Sequence, residues 1–363
     1  MSNRLYSVIT ATGSYLPTRV ITNEHFVSTA FFDAGGNRLD KPGQEIAEKF
    51  EQITEIRERR YVTDDLCTSD IGFFAAQAAL ASSAIDQEEL DYIIVAHNFG
   101  NVSATNKRTD MVPSLAARIK AKLGIKNPYT VAYDLPFGCP GWLQGMIQAD
   151  YFLRSGDAKK VLVIGAEVLS RVSDPHDRDS MLYADGAGAV LLEARESETP
   201  VGIIKHGTRS DTDQFAHLLR MGTSYNPEYT AQDLFLKMDG RKLYEYALKT
   251  VPQAIKACLE KAGVPIEAVS KVLIHQANGK MDDAILKRLY ALYNIQEPPV
   301  GVMPMTVSWL GNSSVATLPT LLDLMLKGEL EDQTIEPGSV IVFASVGAGM
   351  NINAVVYQVP EEA

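Results

Sequence analysis

The sequence predicts an α/β protein made of two similar halves stacked as a five-layered α/β/α/β/α core. Three observations carry this prediction. Short, continuous, β-branched-rich runs such as YIIVA, VLVIG, VLI and VIVFA read as strands buried on both faces of a sheet. Between them lie segments with apolar residues three and four apart, as at Leu243, Tyr246, Ala247 and Val251, which read as helices packed along one stripe. The element order β-α-β-α-β-α-β-β then occurs twice.

The first half, residues 1–199, opens with strand SVITATGSYL and a helix from Asp70 to about Ala84. It continues through strand DYIIVAH, helix VPSLAARIKAKLG, strand TVAYDL and a helix from Pro140 to about Arg154, and closes on strands KKVLVIGAEV and GAVLLEA. The second half, residues 200–363, runs strand VGIIKHG, helix RKLYEYALKTVPQAIKACLEKAG, strand KVLIHQ, helix GKMDDAILKRLYALY, strand VGVMPMT, helix SVATLPTLLDLMLKG and strands GSVIVFASV and INAVVYQV. Facing duplicated halves place a site at their junction, built from equivalent strand ends.

Composition narrows the function classes. A formal net charge of −11 argues against a nucleic-acid binder, while a local basic patch for an acidic protein partner remains open. No apolar run approaches the ~18 residues of a membrane span, and the start lacks a charged segment followed by an apolar one. A cytoplasmic protein is expected. Three cysteines, Cys67, Cys139 and Cys258, stand far apart and the six histidines are scattered. That pattern is neither a disulfide framework nor a metal site, and no metal is expected.

Three positions carry candidate chemistry. In VAYDLPFGCPGW a strand ends, a turn follows, and Cys139 precedes Pro140, a favoured first helical residue. Cys139 would then be the N-cap, where free N–H groups and the helix dipole favour a thiolate. The competing reading is a buried structural cysteine, which suits Cys258 and Cys67. His275, in KVLIHQANGKM, ends a strand and would face the crevice, unless it is a solvated loop residue. Asn312, in SWLGNSSVATLPTLL, follows the third strand of the second half, as Cys139 does in the first. The two would meet across a pseudo-twofold axis. A plain helix N-cap is the alternative for Asn312. ADGAGAV lacks the third glycine of a dinucleotide fingerprint and leads into a strand. VGAGM, at Val346 to Met350, offers bare backbone to a substrate or an oxyanion.

With these residues in place, the chain resembles the β-ketoacyl-acyl-carrier-protein synthase III family of the thiolase-fold superfamily over nearly its whole length. The matching pieces are IRERRYV, the Cys139 turn, DPHDRDSMLYADGAGAVLLE, HQAN, GNSS and GAGM, in that order. The resemblance implies a duplicated thiolase-like fold, a homodimer, and a decarboxylative Claisen condensation that consumes no cofactor. Cys139 would take the acyl group from an acyl-CoA or acyl-carrier-protein thioester. The N–H groups of Cys139 and Ala348 would hold the oxyanion. His275 and Asn312 would donate to the malonyl thioester carbonyl as carbon dioxide leaves, giving a 3-oxoacyl product. Arg178 matches a position near the coenzyme A phosphates, Asn278 one in the pantetheine tunnel, and Lys280 one that meets acyl carrier protein.

Several positions depart from the family pattern. The stretch EKFEQITEIRERR lacks the Trp and Arg of members primed by acetyl-CoA, and an extra segment, AFFDAGGNRLDKPG, precedes it. Arg241 stands where an Asn is usual. Val112, beside Met111, and Val346 stand where the family has Phe, which leaves room for a medium or long acyl group. A specialised lipid or secondary-metabolite pathway is expected. Rival readings keep the fold but transfer the acyl group without malonyl decarboxylation, or condense it with a β-keto partner as in dialkylresorcinol-type chemistry. A non-catalytic partner subunit is a further rival, opposed by the retained Cys139.

Overall fold

Alternate residues of the central strands face different cores, and this fixes the layering. The computed structural model describes residues 4–361. Its first half contains β1 (Arg4–Tyr15), β2 (Arg19–Thr22), α1 (Gly43–Thr54), β3 (Glu58–Tyr61), α2 (Thr68–Ala81), β4 (Tyr92–His97), α3 (Leu115–Leu123), β5 (Val131–Pro136), α4 (Gly141–Ser155), β6 (Lys160–Val168) and β7 (Asp185–Ser197). Its second contains β8 (Gly202–Ser210), α5 (Thr212–Phe215), β9 (Leu219–Gly222), β10 (Phe235–Met238), α6 (Gly240–Ala262), β11 (Val269–Ile274), α7 (Gly279–Ala291), α8 (Val307–Leu310), α9 (Thr317–Leu326), β12 (Val340–Gly347) and β13 (Asn351–Gln358).

One sheet has the order β1-β7-β6-β4-β5 and the other β11-β12-β13-β8. In β4, Ile93 and Val95 share a core with Ile71 and Ala75 of α2 and Ile119 of α3. Ile94 and Ala96 point the other way, onto Trp142, Leu143 and Met146 of α4. That middle core also takes Leu318 and Leu321 of α9 and Ile341 and Phe343 of β12. Val342 and Ala344 of β12 face Val251 and Ile255 of α6 and Ile285 and Leu289 of α7. The layers are therefore α2/α3, sheet, α4/α9, sheet, α6/α7, as the sequence predicts.

The expected strand VGVMPMT is not one. Residues 300–306 run as turn and coil past β11, tied to it by one backbone bond from Val272 N–H to the Val302 carbonyl at 2.8 Å. Pro299 and Pro304 lack the N–H a ladder needs. The buried Gln276 side chain substitutes for the ladder: Nε2 donates to the Pro304 carbonyl (3.0 Å), and Oε1 accepts from Thr306 N–H (2.7 Å) and Val307 N–H (3.0 Å). The second sheet thus has four strands against five.

Between β1 and α2, β2 pairs with β3 and α1 packs beneath them. Phe26, Phe31, Phe50, Leu182, Tyr183 and Val307 are among the residues of a separate core there, at the junction of the halves. None of the described helices is long and apolar enough to cross a membrane.

Candidate active site

Cys139 lies between β5 and α4. Helix α4 starts at Gly141 with Pro140 at its cap, so Cys139 stands one residue ahead of the expected position. Its hydroxyl neighbour is Ser314, whose Oγ is 3.4 Å from Cys139 Sγ. Burial acts against the low thiol pKa that the helix start suggests. Burial pushes the thiol up to about 11; the Ser314 bond opposes this and the Glu167 carboxylate adds to it. Desolvation is the largest influence, because protein closes around the sulfur while the residue keeps only partial access to the cavity.

His275 follows β11, and its N–H donates to the Ala344 carbonyl of β12 at 2.9 Å. The ring is buried, which lowers its pKa to about 4, and Nδ1 has no hydrogen-bond partner. The imidazole is therefore neutral near pH 7 and carries one N–H. Asn312 precedes the turn into α9. Its backbone is pinned on both sides, donating to the Leu182 carbonyl (2.9 Å) and accepting from Ala184 N–H (2.8 Å). Its Oδ1 accepts from Ser314 N–H at 2.9 Å, which leaves the Nδ2 donor for other partners.

Two glycines let backbone meet backbone beside the thiol. A Cβ on Gly138 would stand 2.9 Å from Ala348 N, and one on Gly347 would stand 2.6 Å from Cys139 N. Only glycine permits the Cys139 and Ala348 amides to approach this closely.

Cys139, His275, Asn312 and Ala348 line one cavity of about 1210 Å³, larger than the ~300–1,000 Å³ of ordinary ligand pockets. Arg178, Arg241, Asn278 and Val346 line it as well. Arg241 is exposed and bonds Glu245 at 3.1 Å, and Asn278 Oδ1 caps α7 by accepting from Met281 N–H at 3.1 Å. Met111, Val112 and Lys280 do not line it. Met111 and Val112 sit on an exposed loop, and Lys280 is exposed on α7 beside Glu55. The extra segment supplies part of the wall through Asn37, Arg38, Leu39 and Lys41, with α1 adding Lys49, Phe50 and Ile53.

Sequence reasoning missed the support behind these groups. Arg59, in IRERR, is fully buried and bonds the Met181 carbonyl, the Ile21 carbonyl and Asn23 Oδ1 at 2.7–3.0 Å. It fixes the strand entry that holds Tyr183 and Asn312. Glu167, at the end of β6, is also fully buried. Burial raises its carboxyl to about 7, opposed by His97 and by bonds from Asn98. His97 Nε2 lies 3.0 Å from Asp134 Oδ2, and its Nδ1 accepts from Gly100 N–H at 3.0 Å. An acidic residue inside a buried strand, as in VIGAEV, was the available signal for Glu167.

The model of 3-oxoacyl-[acyl-carrier-protein] synthase III matches residues 133–212, and the model of its C-terminal part matches residues 259–359. The chain is 32% identical over 354 residues to a β-ketoacyl-[acyl-carrier-protein] synthase III of Paracoccus denitrificans, covering 96% of this chain and 98% of that protein. It is similar in structure to the 3-oxoacyl synthase III (FabH) of Thermus thermophilus, with a TM-score of 0.79, 30% identity and coverage of 97% and 98%. It is also similar to the priming β-ketosynthase of the R1128 polyketide pathway, with a TM-score of 0.80, 26% identity and coverage of 100% and 99%.

Proposed function

This chain belongs to the 3-oxoacyl-[acyl-carrier-protein] synthase III family of thiolase-fold acyltransferases, and on that premise we propose that it condenses an acyl thioester with a malonyl-type thioester through acyl-Cys139. The observation that carries the reading is a single large cavity with Cys139, His275, Asn312 and Ala348 on its wall. In the first step the Cys139 sulfur bonds the acyl carbon. The donor's C–S bond breaks, and the thiol proton ends on the departing thiol. The Cys139 and Ala348 N–H groups receive the transient oxyanion. In the second step a malonyl thioester loses carbon dioxide, and its enolate oxygen takes hydrogen bonds from neutral His275 and from Asn312 Nδ2. The carbanion attacks the acyl carbon, the C–S bond to Cys139 breaks, and the released sulfur takes a proton from solvent.

The donor is an acyl carrier protein or coenzyme A thioester, and no cofactor is needed. Arg178 and Arg241 offer charge to its phosphate, Asn278 lines its arm, and exposed Lys280 offers a contact to an acidic carrier. The cavity volume and Val346 favour a medium or long acyl group, and the likeness to a polyketide-priming synthase favours a specialised pathway. A homodimer would bring Met111 and Val112 of one copy against the other.

Intact-protein mass spectrometry tests the reading. A panel of acyl-CoA and acyl-carrier donors should leave an acyl mass on the parent and none on Cys139→Ala. Adding malonyl-carrier protein should discharge it as a 3-oxoacyl product. Loading that persists on Cys139→Ala would refute the nucleophile. An adduct inert to malonyl-carrier protein but consumed by a β-keto partner would replace the decarboxylative reaction.

A further inference from the structure

Ser314 touches both halves of the proposed reaction, and nothing in the mechanism above uses its hydroxyl. Its backbone is left-handed, with φ at 55°, an uncommon conformation for a non-glycine residue. That conformation lets one residue do two things. Its N–H donates to Asn312 Oδ1 at 2.9 Å, and its Oγ reaches Cys139 Sγ at 3.4 Å.

The neighbours of Ser314 leave its hydroxyl hydrogen available to the sulfur. Asn98 Nδ2 donates to Glu167 Oε2 at 2.5 Å and to Ser314 Oγ at 3.1 Å. The Asn98 backbone N–H donates to the same Glu167 oxygen at 2.9 Å. Above about pH 7 Glu167 is a carboxylate, which accepts only and so turns the Asn98 amide nitrogen towards it. The amide nitrogen donates only, so Ser314 Oγ is an acceptor from Asn98. Its single hydrogen is not used by Asn98 and is free for the Cys139 sulfur, which as a thiolate only accepts. Ser314 and Asn98 line the cavity, Ser314 with only 2% exposure, and Glu167 is fully buried behind them. The titratable groups around the sulfur are Glu167 from β6, Tyr183 from the approach to β7 and His275 from the end of β11, with the His97–Asp134 pair behind Glu167.

We infer that Ser314 is a positioning residue for the acylation step: its hydroxyl, oriented through Asn98 by Glu167, donates to the Cys139 sulfur and holds it as it becomes a thiolate. This rests on the proposed role of Cys139. Once the sulfur is a thioester it carries no charge, and the donor has little left to stabilise. The hydroxyl therefore serves acyl loading, while the Ser314 N–H serves decarboxylation by orienting Asn312. Asn98 acts only through Ser314.

A substrate-free measurement separates this inference from the reaction assigned above. Iodoacetamide labelling of Cys139 is followed from pH 7 to 11 by peptide mass spectrometry, with Cys67 and Cys258 as internal references. Ser314→Ala, which keeps the backbone N–H, should move the Cys139 profile upward by about one pH unit. That is about a ten-fold slower labelling at pH 8, as expected for one lost bond to a charged group. Asn98→Ala should move it in the same direction by less, and the double variant no further than Ser314→Ala alone. An unchanged profile in either single variant overturns the inference, and Asn98→Ala keeps that test if Ser314→Ala does not fold. Additive shifts in the double variant overturn the relay. If labelling behaves as stated while no acyl donor loads Cys139, the relay stands and the proposed reaction falls.

Discussion

Removing the Asn312 carboxamide should divide the two halves of the reaction. The Nδ2 donor is freed by the bond that Ser314 N–H makes to Oδ1, and no acylation step uses it. Asn312→Ala should load acyl groups at close to the parent rate yet decarboxylate a malonyl thioester about 10²–10³-fold more slowly, as loss of one oxyanion donor does. Normal decarboxylation with failed loading would mean the roles are exchanged. Glu167 gives a prediction in pH. Its carboxyl sits at about 7 in the native chain, against ~4.3 for an ordinary Glu. Between those values the native state keeps a proton the unfolded chain has released, so this residue's contribution to stability falls as pH rises and is lost above about 7. Glu167→Gln removes that ionisation. Its Tm relative to the parent should rise between pH 5 and pH 8, and an equal difference at both pH values would mean Glu167 ionises without penalty.

At the scale of elements, the coil 300–306 does the work that a strand does in the other half. A β5-like strand is replaced by turn and coil, and one side chain, Gln276, satisfies two of its backbone groups and the first N–H of α8. Because Gln276 directly follows His275, the same bonds hold the HQAN segment at the end of β11 against the turn into α8. Gln276→Ala leaves those groups buried without partners and should cost about 3 kcal/mol in urea denaturation. A loss under roughly 1 kcal/mol would show that water replaces the amide. The element that carries Cys139 differs in kind. It is placed by a regular β5-to-α4 turn, and the closing of protein around the sulfur is the largest influence on its acidity.

For the whole molecule, the question is how the open edge of the first sheet is covered. Strand β5 pairs only with β4, and Val131 on it is 48% exposed. Val112, at 86%, and Tyr129, at 84%, stand out on the loops around it. An unprotected edge with exposed apolar side chains is a pairing surface. The proposed homodimer would cover it, and light scattering at micromolar concentration should give twice the chain mass. A monomer that still loads and condenses would leave Met111 and Val112 without a part in the acyl site.

Periodicity by itself determined the layering. Runs such as YIIVA and VIVFA are apolar on every residue, and only a sheet covered on both faces buries them; the doubled element order then required two such sheets. The motifs around Cys139 and His275 were likewise legible, because each sits where a strand ends and side chains must face the junction, whereas Asn312 follows coil and the short helix α8. The contacts of Ser314, Asn98 and Glu167 were not legible. They come from positions up to 216 residues apart, and no local rule relates them. The desolvation of Cys139 was not legible for the same reason. A helix start is visible in FGCPGW, but the burial of the sulfur is imposed by chain from both halves. Local pattern fixes which atoms an element offers, and tertiary packing fixes how much water they lose, which sets their charge.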